Sequence, residues 1–172
     1  MQKLNSLKGV WQRNAVFFLT ALLVVIADQL SKLWIRSNLV VGESLPETGF
    51  VRLTHIRNTG SSFGLFQDQS LMLAIIAIIG IGLILFLILF MYQRFHILNT
   101  LIGKISLGLI LGGTLGNLID RLRSGYVTDF IDFNFWPAFN VADSAVVVGA
   151  ILLAYSLVQL ARHSENSDGK GI

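Results

Sequence analysis

Three aspartates, Asp129, Asp132 and Asp143, fall inside the stretch GYVTDFIDFNFWPAFNVADS (Gly125 to Ser144), which lies between two strongly apolar segments. An ionisable group entering a bilayer segment is costly, and is a functional candidate by default. If two such carboxyls converge, desolvation and mutual repulsion raise one pKa, and the pair holds a single shared proton near neutral pH. Such a pair activates water: the ionised member accepts a proton from it while the protonated member polarises or protonates a scissile amide. Asp129 and Asp143 are the candidates for this chemistry.

Alternation over Tyr126 to Phe135 places Val127, Asp129, Ile131, Phe133 and Phe135 on one face, and Tyr126, Thr128, Phe130, Asp132 and Asn134 on the other. On that reading Asp129 is the one charge on an apolar face, and Asp132 points to water. The competing reading makes Asp129 an ordinary loop acid. Asp143 begins an apolar helix, so a helix cap or dipole partner competes with a catalytic role. Asn140 can hydrogen-bond beside it, and Pro137 suits the end of the preceding extended piece.

Other chemistries fit less well. The chain has no cysteine, which excludes disulfides, thiol catalysis and thiolate metal sites. Ser31 and Lys32 are adjacent, so on a helix they do not face each other as a dyad. His96 and His163 fall on the cytoplasmic side by the balance of basic residues around the spans, His55 has no evident partner, and a metal site built from Asp129, Asp132 and Asp143 without a histidine would be unusual; no metal is expected. Asp28 and Lys32, four apart, can form a structural pair along one helix face. Gly108, Gly112 and Gly116 are also four apart and suggest a close helix contact, followed by a polar cluster of Asn117, Asp120 and Arg121.

The elements that must position these residues are membrane spans. Of 172 residues 53% are hydrophobic and only 13% charged, with a mean hydropathy of +0.68, more apolar surface than one soluble core can hide. The net charge of +3 is scattered over short connections, not gathered in a run, so nucleic acid is not an expected partner. Leu71 to Met91 is an uncharged run long enough to cross the hydrocarbon layer. The expectation is a single membrane domain over residues 1–172, a four-helix transmembrane bundle with a small extracytoplasmic β-sheet or loop element. Its spans lie at about 16–35, 71–91, 99–119 and 141–160, the third beginning anywhere from Ile97 to Ile105. The first lacks an Ala-x-Ala-like cleavage site and should stay in the mature protein.

Lys3, Lys8 and Arg13 before the first span, with Arg94 and Lys104 around the second connection, put both termini in the cytoplasm by the positive-inside rule. The connections 37–70 and 121–138 are then external, and both aspartates lie at the outer membrane boundary. Within the first connection, Gly49 to Ile56 and Phe63 to Phe66 look extended, broken by Gly42, Pro46 and Gly60. Gly60 and Gly64 bracket a candidate lid, and the tail from His163 to Ile172 reads as a polar, disordered end.

The segments ADQLSK (Ala27 to Lys32), RNTGSSFG (Arg57 to Gly64), GGTLGNLIDRLRSGYVTDFIDF (Gly112 to Phe133) and FNVADS (Phe139 to Ser144) resemble the lipoprotein signal peptidases, or signal peptidase II, in the family's order. The resemblance implies an aspartyl protease of the bacterial inner membrane that removes the signal peptide from prolipoproteins, cutting before a cysteine that carries diacylglyceryl. It implies Asp129 and Asp143 as the catalytic dyad. Asn58, Asn117, Asp120, Arg121 and Asn140 match residues that line the cleft and hold substrate or peptide inhibitors of the globomycin type, and Asp28 and Lys32 match a polar pair near the first helix end. It implies membrane lipids as neighbours and no cofactor. Ser61 and Ser62 depart from the family's usual alanines, and the link from Asp129 to Asp143 looks short.

Two rivals stand beside this reading. A transporter would use membrane acids as a proton or cation path, but would place them at several depths, whereas these gather at one boundary. A scaffold would explain the glycine-lined third span but gives no reason for Asp129 to sit among apolar neighbours.

Overall fold

A computed structural model describes residues 2–60, 66–90 and 99–168, with side chains for 14–60, 66–90 and 99–162. Ser61, Ser62 and Gly64, the proposed lid tip, lie outside the described residues, as do Arg94 and His96; the side chains of Lys3, Lys8, Arg13 and His163 do too. Element order is α1 (Gln2–Asn38), β1 (Ser44–Leu45), β2 (Arg52–Asn58), α2 (Ser70–Phe90), α3 (Leu101–Ser124), β3 (Val127–Asp132) and α4 (Val141–Asp168). Four of these helices are long and apolar enough to cross a membrane, over Asn14–Asn38, Ser70–Phe90, Leu101–Ser124 and Val141–Arg162.

Helix α3 is the centre of the bundle, because glycine lets neighbouring backbones approach closely where lipid supplies no hydrophobic drive. A Cβ at Gly112 would lie 2.6 Å from the Ala21 carbonyl oxygen of α1, and one at Gly113 would collide with the Ala142 carbonyl of α4. The expected close contact therefore exists on two sides of α3. Phe17, Ala21, Ile88, Leu107 and Leu111 fill the core between α1, α2 and α3. Helix α2 buries little: Ala74 and Ile88 are covered, while Leu71, Ile75, Ile79 and Leu83 are exposed, as suits a lipid-facing span.

Helix ends carry clear causes. Thr100 Oγ1 accepts from the Gly103 N–H at 3.0 Å and starts α3. Gly125, at φ 76°, ends it, donating its N–H to the Arg121 carbonyl and turning the chain directly into β3. The span expected to end at residue 119 thus continues to Ser124, and Asn117, Asp120 and Arg121 sit inside its last turns. Helix α4 also runs past its expected end to Asp168, where a disordered tail was anticipated from His163; once nucleated, a helix lengthens at one hydrogen bond per residue fixed.

The sheet has the order β1-β2-β3, all antiparallel, with Leu53 opposite Ile131 and Ile56 opposite Asp129 across an irregular step. The strand expected at Gly49 to Ile56 is shifted to Arg52–Asn58, and Phe66 is in a turn at φ 57°, not extended; the rest of its expected strand lies outside the described residues. Phe130 packs with Ile35 and Leu39 at the end of α1. That contact corrects the expectation for Asp132. Its face is covered by α1 and β2, Asp132 is buried, and its carboxylate accepts from Arg52 Nη2 at 2.5 Å and Thr54 Oγ1 at 3.1 Å.

Candidate active site

Both carboxyls of interest end at one asparagine. Asn140 precedes the first turn of α4, where its Oδ1 accepts the Asp143 N–H at 3.0 Å while Asp143 Oδ2 accepts the Asn140 N–H at 3.2 Å. This is a reciprocal capping box, so the cap reading of Asp143 is correct, and it coexists with a place in the cluster. The same Asn140 donates from Nδ2 to Asp129 Oδ1 at 2.7 Å. Asn140 is fully buried, and its side chain and backbone together hold one carboxyl from β3 and one from α4.

Asp129 reaches this point because β3 leaves α3 through the Gly125 turn and pairs with β2. Its other oxygen, Oδ2, accepts from Asn58 Nδ2 at 2.8 Å, Asn58 being the last residue of β2. Only 3% of Asp129 is exposed. Burial is the main cause that pushes its pKa up to about 6, with the Asp143 carboxylate second; the amides of Asn58 and Asn140 pull the other way.

Behind the two aspartates lies a continuous polar layer. Lys32 Nζ uses three donors, to Asp28 Oδ2 at 2.8 Å, Asn117 Oδ1 at 2.8 Å and Asp120 Oδ2 at 3.2 Å. Asn117 passes this on: its Oδ1 also accepts from Asn140 Nδ2 at 3.2 Å, and its Nδ2 donates to Asp143 Oδ1 at 2.7 Å. Asp28 is more than a partner of Lys32. Its Oδ1 accepts the Ala142 N–H of α4 at 3.0 Å, and the carboxylate fits there because Gly116 has no side chain; a Cβ would stand 2.5 Å from Asp28 Oδ2. Arg121 Nη2 donates to the Gly60 carbonyl at 3.2 Å, tying α3 to the loop two residues past β2.

The residues matched to the expected cluster are therefore together, from α1, β2, α3, β3 and α4. Chemically, such an arrangement offers two oriented carboxyls, one with a raised pKa, amide donors on each, and a buried cation behind them.

Comparison with known proteins follows the same residues. The chain matches the model of the signal peptidase (SPase) II family over residues 20–159, most of its length. The chain belongs to the signal peptidase II family. A lipoprotein signal peptidase of Dehalococcoides mccartyi is 46% identical over 145 residues, covering 83% of this chain and 90% of that protein. One from Moorella thermoacetica is 44% identical over 143 residues, covering 83% of this chain and 92% of that one. A solved structure described as a bacterial membrane enzyme superposes with a TM-score of 0.75 at 32% identity, covering 84% of this chain and 88% of that one.

As a member of signal peptidase II, a family of proteases, the chain carries three residues in its polar layer that the sequence did not single out. Arg36 Nη2 meets Asp120 Oδ1 at 2.6 Å, and its Nε donates to Thr128 Oγ1 at 2.8 Å. The Thr128 N–H in turn donates to Asp120 Oδ2 at 3.1 Å. Gln29 Nε2 spans Asp28, the Gly116 carbonyl and Asp120 at 3.1 to 3.4 Å. Asp120 is fully buried in these contacts and clamps α1, α3 and β3 together, gripping β3 at Thr128, one residue before Asp129. A basic or amide residue four from Asp28 or Lys32 on the same helix face was the available signal: Arg36 follows Lys32 by four. His55, without an evident partner in the sequence, donates from Nδ1 to the Leu39 carbonyl at 2.8 Å.

Proposed function

We propose that this signal peptidase II chain is an aspartyl endopeptidase that cuts diacylglyceryl-modified prolipoproteins immediately before the lipidated cysteine, with Asp129 and Asp143 as its catalytic pair. The observation that carries the reading is Asn140, which hydrogen-bonds both carboxyls at once, at 2.7 and 3.2 Å. The pair holds one proton. The ionised carboxylate takes a proton from water as the water oxygen attacks the scissile carbonyl carbon, and the protonated carboxyl donates to the carbonyl oxygen. As the tetrahedral intermediate collapses, one of its hydroxyls returns a proton to the pair as the C=O re-forms. The C–N bond breaks and the leaving amine takes up a proton from the pair, which is left with one proton as at the start. Asn58, Asn117 and Asn140 orient the two carboxyls, while Arg121 and Asn58 stand where substrate backbone would lie.

The site belongs at the outer face of the bacterial cytoplasmic membrane, with both termini inside, on the balance of basic residues around the spans. A lipid-bearing substrate reaches such a place laterally, its acyl chains staying in the bilayer. An apolar groove between α1, α3 and α4, of about 470 Å³ and lined by Leu23, Val24, Leu109, Val141, Ser144 and Val148, runs beside the first turns of α4 and suits an acyl chain. Clustering of Asp28, Asp120, Asp129 and Asp143 at one end of the bundle favours hydrolysis over a transmembrane proton path.

The deciding test is cleavage of a purified diacylglyceryl-modified precursor and of its unmodified form. Wild-type protein should cut the first and spare the second, and Asp129→Asn and Asp143→Asn should each abolish cutting while remaining folded in detergent. Wild-type-like turnover by either variant removes the assignment.

A further inference from the structure

Beyond the catalytic cluster, the most unusual surface is aromatic. The turn after β3 and the loop before β2 bring Phe50, Phe133 and Phe135 together, with ring centroids 5.5 to 6.3 Å apart, and Phe133 stacks on Phe139 at 5.9 Å. Asn134 Nδ2 staples the two loops by donating to the Gly49 carbonyl at 2.6 Å. Despite these contacts the cluster is open to its surroundings: Phe50 is 68% exposed, Phe135 71% and Trp136 51%. A patch of this size and apolarity marks an interaction surface rather than a scatter of single exposed side chains.

Its place in the chain says what covers it. The aromatic turn is a hairpin closed by the Ile131–Phe139 bridge, and Val141, two residues beyond Phe139, opens a membrane span. The hairpin is thus rooted at the level where the lipid headgroups begin. Aromatic side chains, tryptophan above all, concentrate at that level, where an apolar ring body and a polar edge are both satisfied. The hydrogen-bond partners of the Asp129 and Asp143 carboxyls are asparagines, not members of this aromatic group.

We propose that Phe50, Phe133, Phe135 and Trp136 form an interfacial anchor that seats the three-stranded sheet in the headgroup region of the bilayer. The partner is the lipid surface itself. Since Asp129 and Asp132 lie on β3, the strand leading into this hairpin, the anchor also sets how deep the β3 carboxyl lies relative to the lipid.

The test uses the full chain in phospholipid nanodiscs, with Trp11→Phe and Trp34→Phe leaving Trp136 as the single fluorophore. Trp136 emission should be blue-shifted, protected from iodide, and quenched more by lipids brominated near the glycerol than by lipids brominated at mid-chain. Emission quenched by iodide as in a free indole, and untouched by either brominated lipid, overturns the proposal. This readout needs no catalysis, so it stands or falls apart from the proposed peptidase chemistry. A second arm uses Phe50→Ser/Phe135→Ser/Trp136→Ser. Turnover should drop several-fold in nanodiscs and stay near wild type in detergent micelles, with unchanged helical circular dichroism. Equal loss in both, through a raised KM, would make the surface a docking site for substrate instead and would also overturn the anchor. Should the triple variant fail to fold, the fluorescence result alone decides.

Discussion

Lys32 donates to the Asn117 side-chain oxygen across 2.8 Å, and this one bond decides which way the Asn117 amide faces. An ammonium has no acceptor, so the oxygen must turn to Lys32 and the NH2 must turn to Asp143. The two residues should fail differently. Lys32→Met leaves Asp28 and Asp120 buried without their shared cation, and should destabilise the protein by about 3–5 kcal/mol. Asn117→Ala keeps that cation paired with Asp28 and Asp120 but removes the donor to Asp143 along with an acceptor for Lys32 and Asn140, so kcat should fall on the order of 100-fold with a smaller loss of stability than Lys32→Met. Thermal unfolding in detergent beside peptide cleavage separates the two outcomes, and equal loss of stability in both variants would count against the assignment.

Asp129 should make stability depend on pH in a definite direction. Its pKa is raised from 3.8 to about 6 in the folded protein, so the folded state binds more protons than the unfolded one between those values, and stability falls as pH rises through that window. The cost above pH 6 is on the order of 3 kcal/mol. Asp129→Asn cannot ionise and escapes it. Relative to wild type, the variant should gain stability steadily from about pH 4 to pH 6 and hold the gain above, whatever fixed penalty its amide adds. A pH-independent difference in melting temperature would contradict the raised pKa.

Asn58 pulls the Asp129 pKa down, since its Nδ2 bonds the ionised form better than the neutral one. Removing it in Asn58→Ala should move the Asp129 titration to higher pH. If the working pair carries one proton, the alkaline limb of kcat/KM shifts upward with it. A limb that stays put or moves down would detach Asp129 from the rate-governing ionisation.

Asp132 changes place in the argument once its partners are known. Burial opposes its ionised form, but the Asn134 N–H, Arg52 and Thr54 outweigh this and hold its pKa below the usual carboxylate value. Its contribution to stability is therefore present above pH 3.8 and lost as pH falls through the lower folded pKa. Asp132→Asn should cost roughly 1–3 kcal/mol at neutral pH, by loosening β2 from β3, with the chemical step of the folded fraction intact. Single-turnover cleavage measured against the folded fraction checks both halves.

The glycines of α3 and α2 offer an internal control. Gly112→Ala would drive a methyl group into the Ala21 carbonyl and should destabilise by about 1–3 kcal/mol. Gly80→Ala and Gly82→Ala meet nothing within 4 Å and should leave stability unchanged or slightly raised. Melting temperatures of the three variants give the comparison.

Much of this arrangement is legible before any coordinates. The run Leu71 to Met91 is α2 with little adjustment, because an uncharged stretch of that length has few alternatives. Asp129 and Asp143 stand out because charge is scarce in such a chain. Period-two alternation over β3 separates its two faces but says nothing of what lies against them. Ile35 of α1 and Leu39 just beyond it cover the face that carries Phe130, which is why Asp132 is buried. Arg36 is hard to single out for a related reason. Its spacing of four from Lys32 marks a shared helix face, but at the end of an apolar helix it looks like any basic residue at a membrane boundary, and its partners Asp120 and Thr128 are distant in the chain. Asp28 and Lys32 show their mutual contact at i, i+4, yet not that Asp28 also reaches the start of α4.

The capping box that joins Asn140 to Asp143 has a mechanical corollary. On the catalytic role proposed for it, Asp143 is a joint as well as a tool: the oxygen that secures the opening turn of the fourth span belongs to a group whose charge would change during turnover. Each cycle would then tug on the seating of that span. A side chain of different length there would unsettle a helix and a reaction in one stroke, leaving no route by which the fold could repair one without the other.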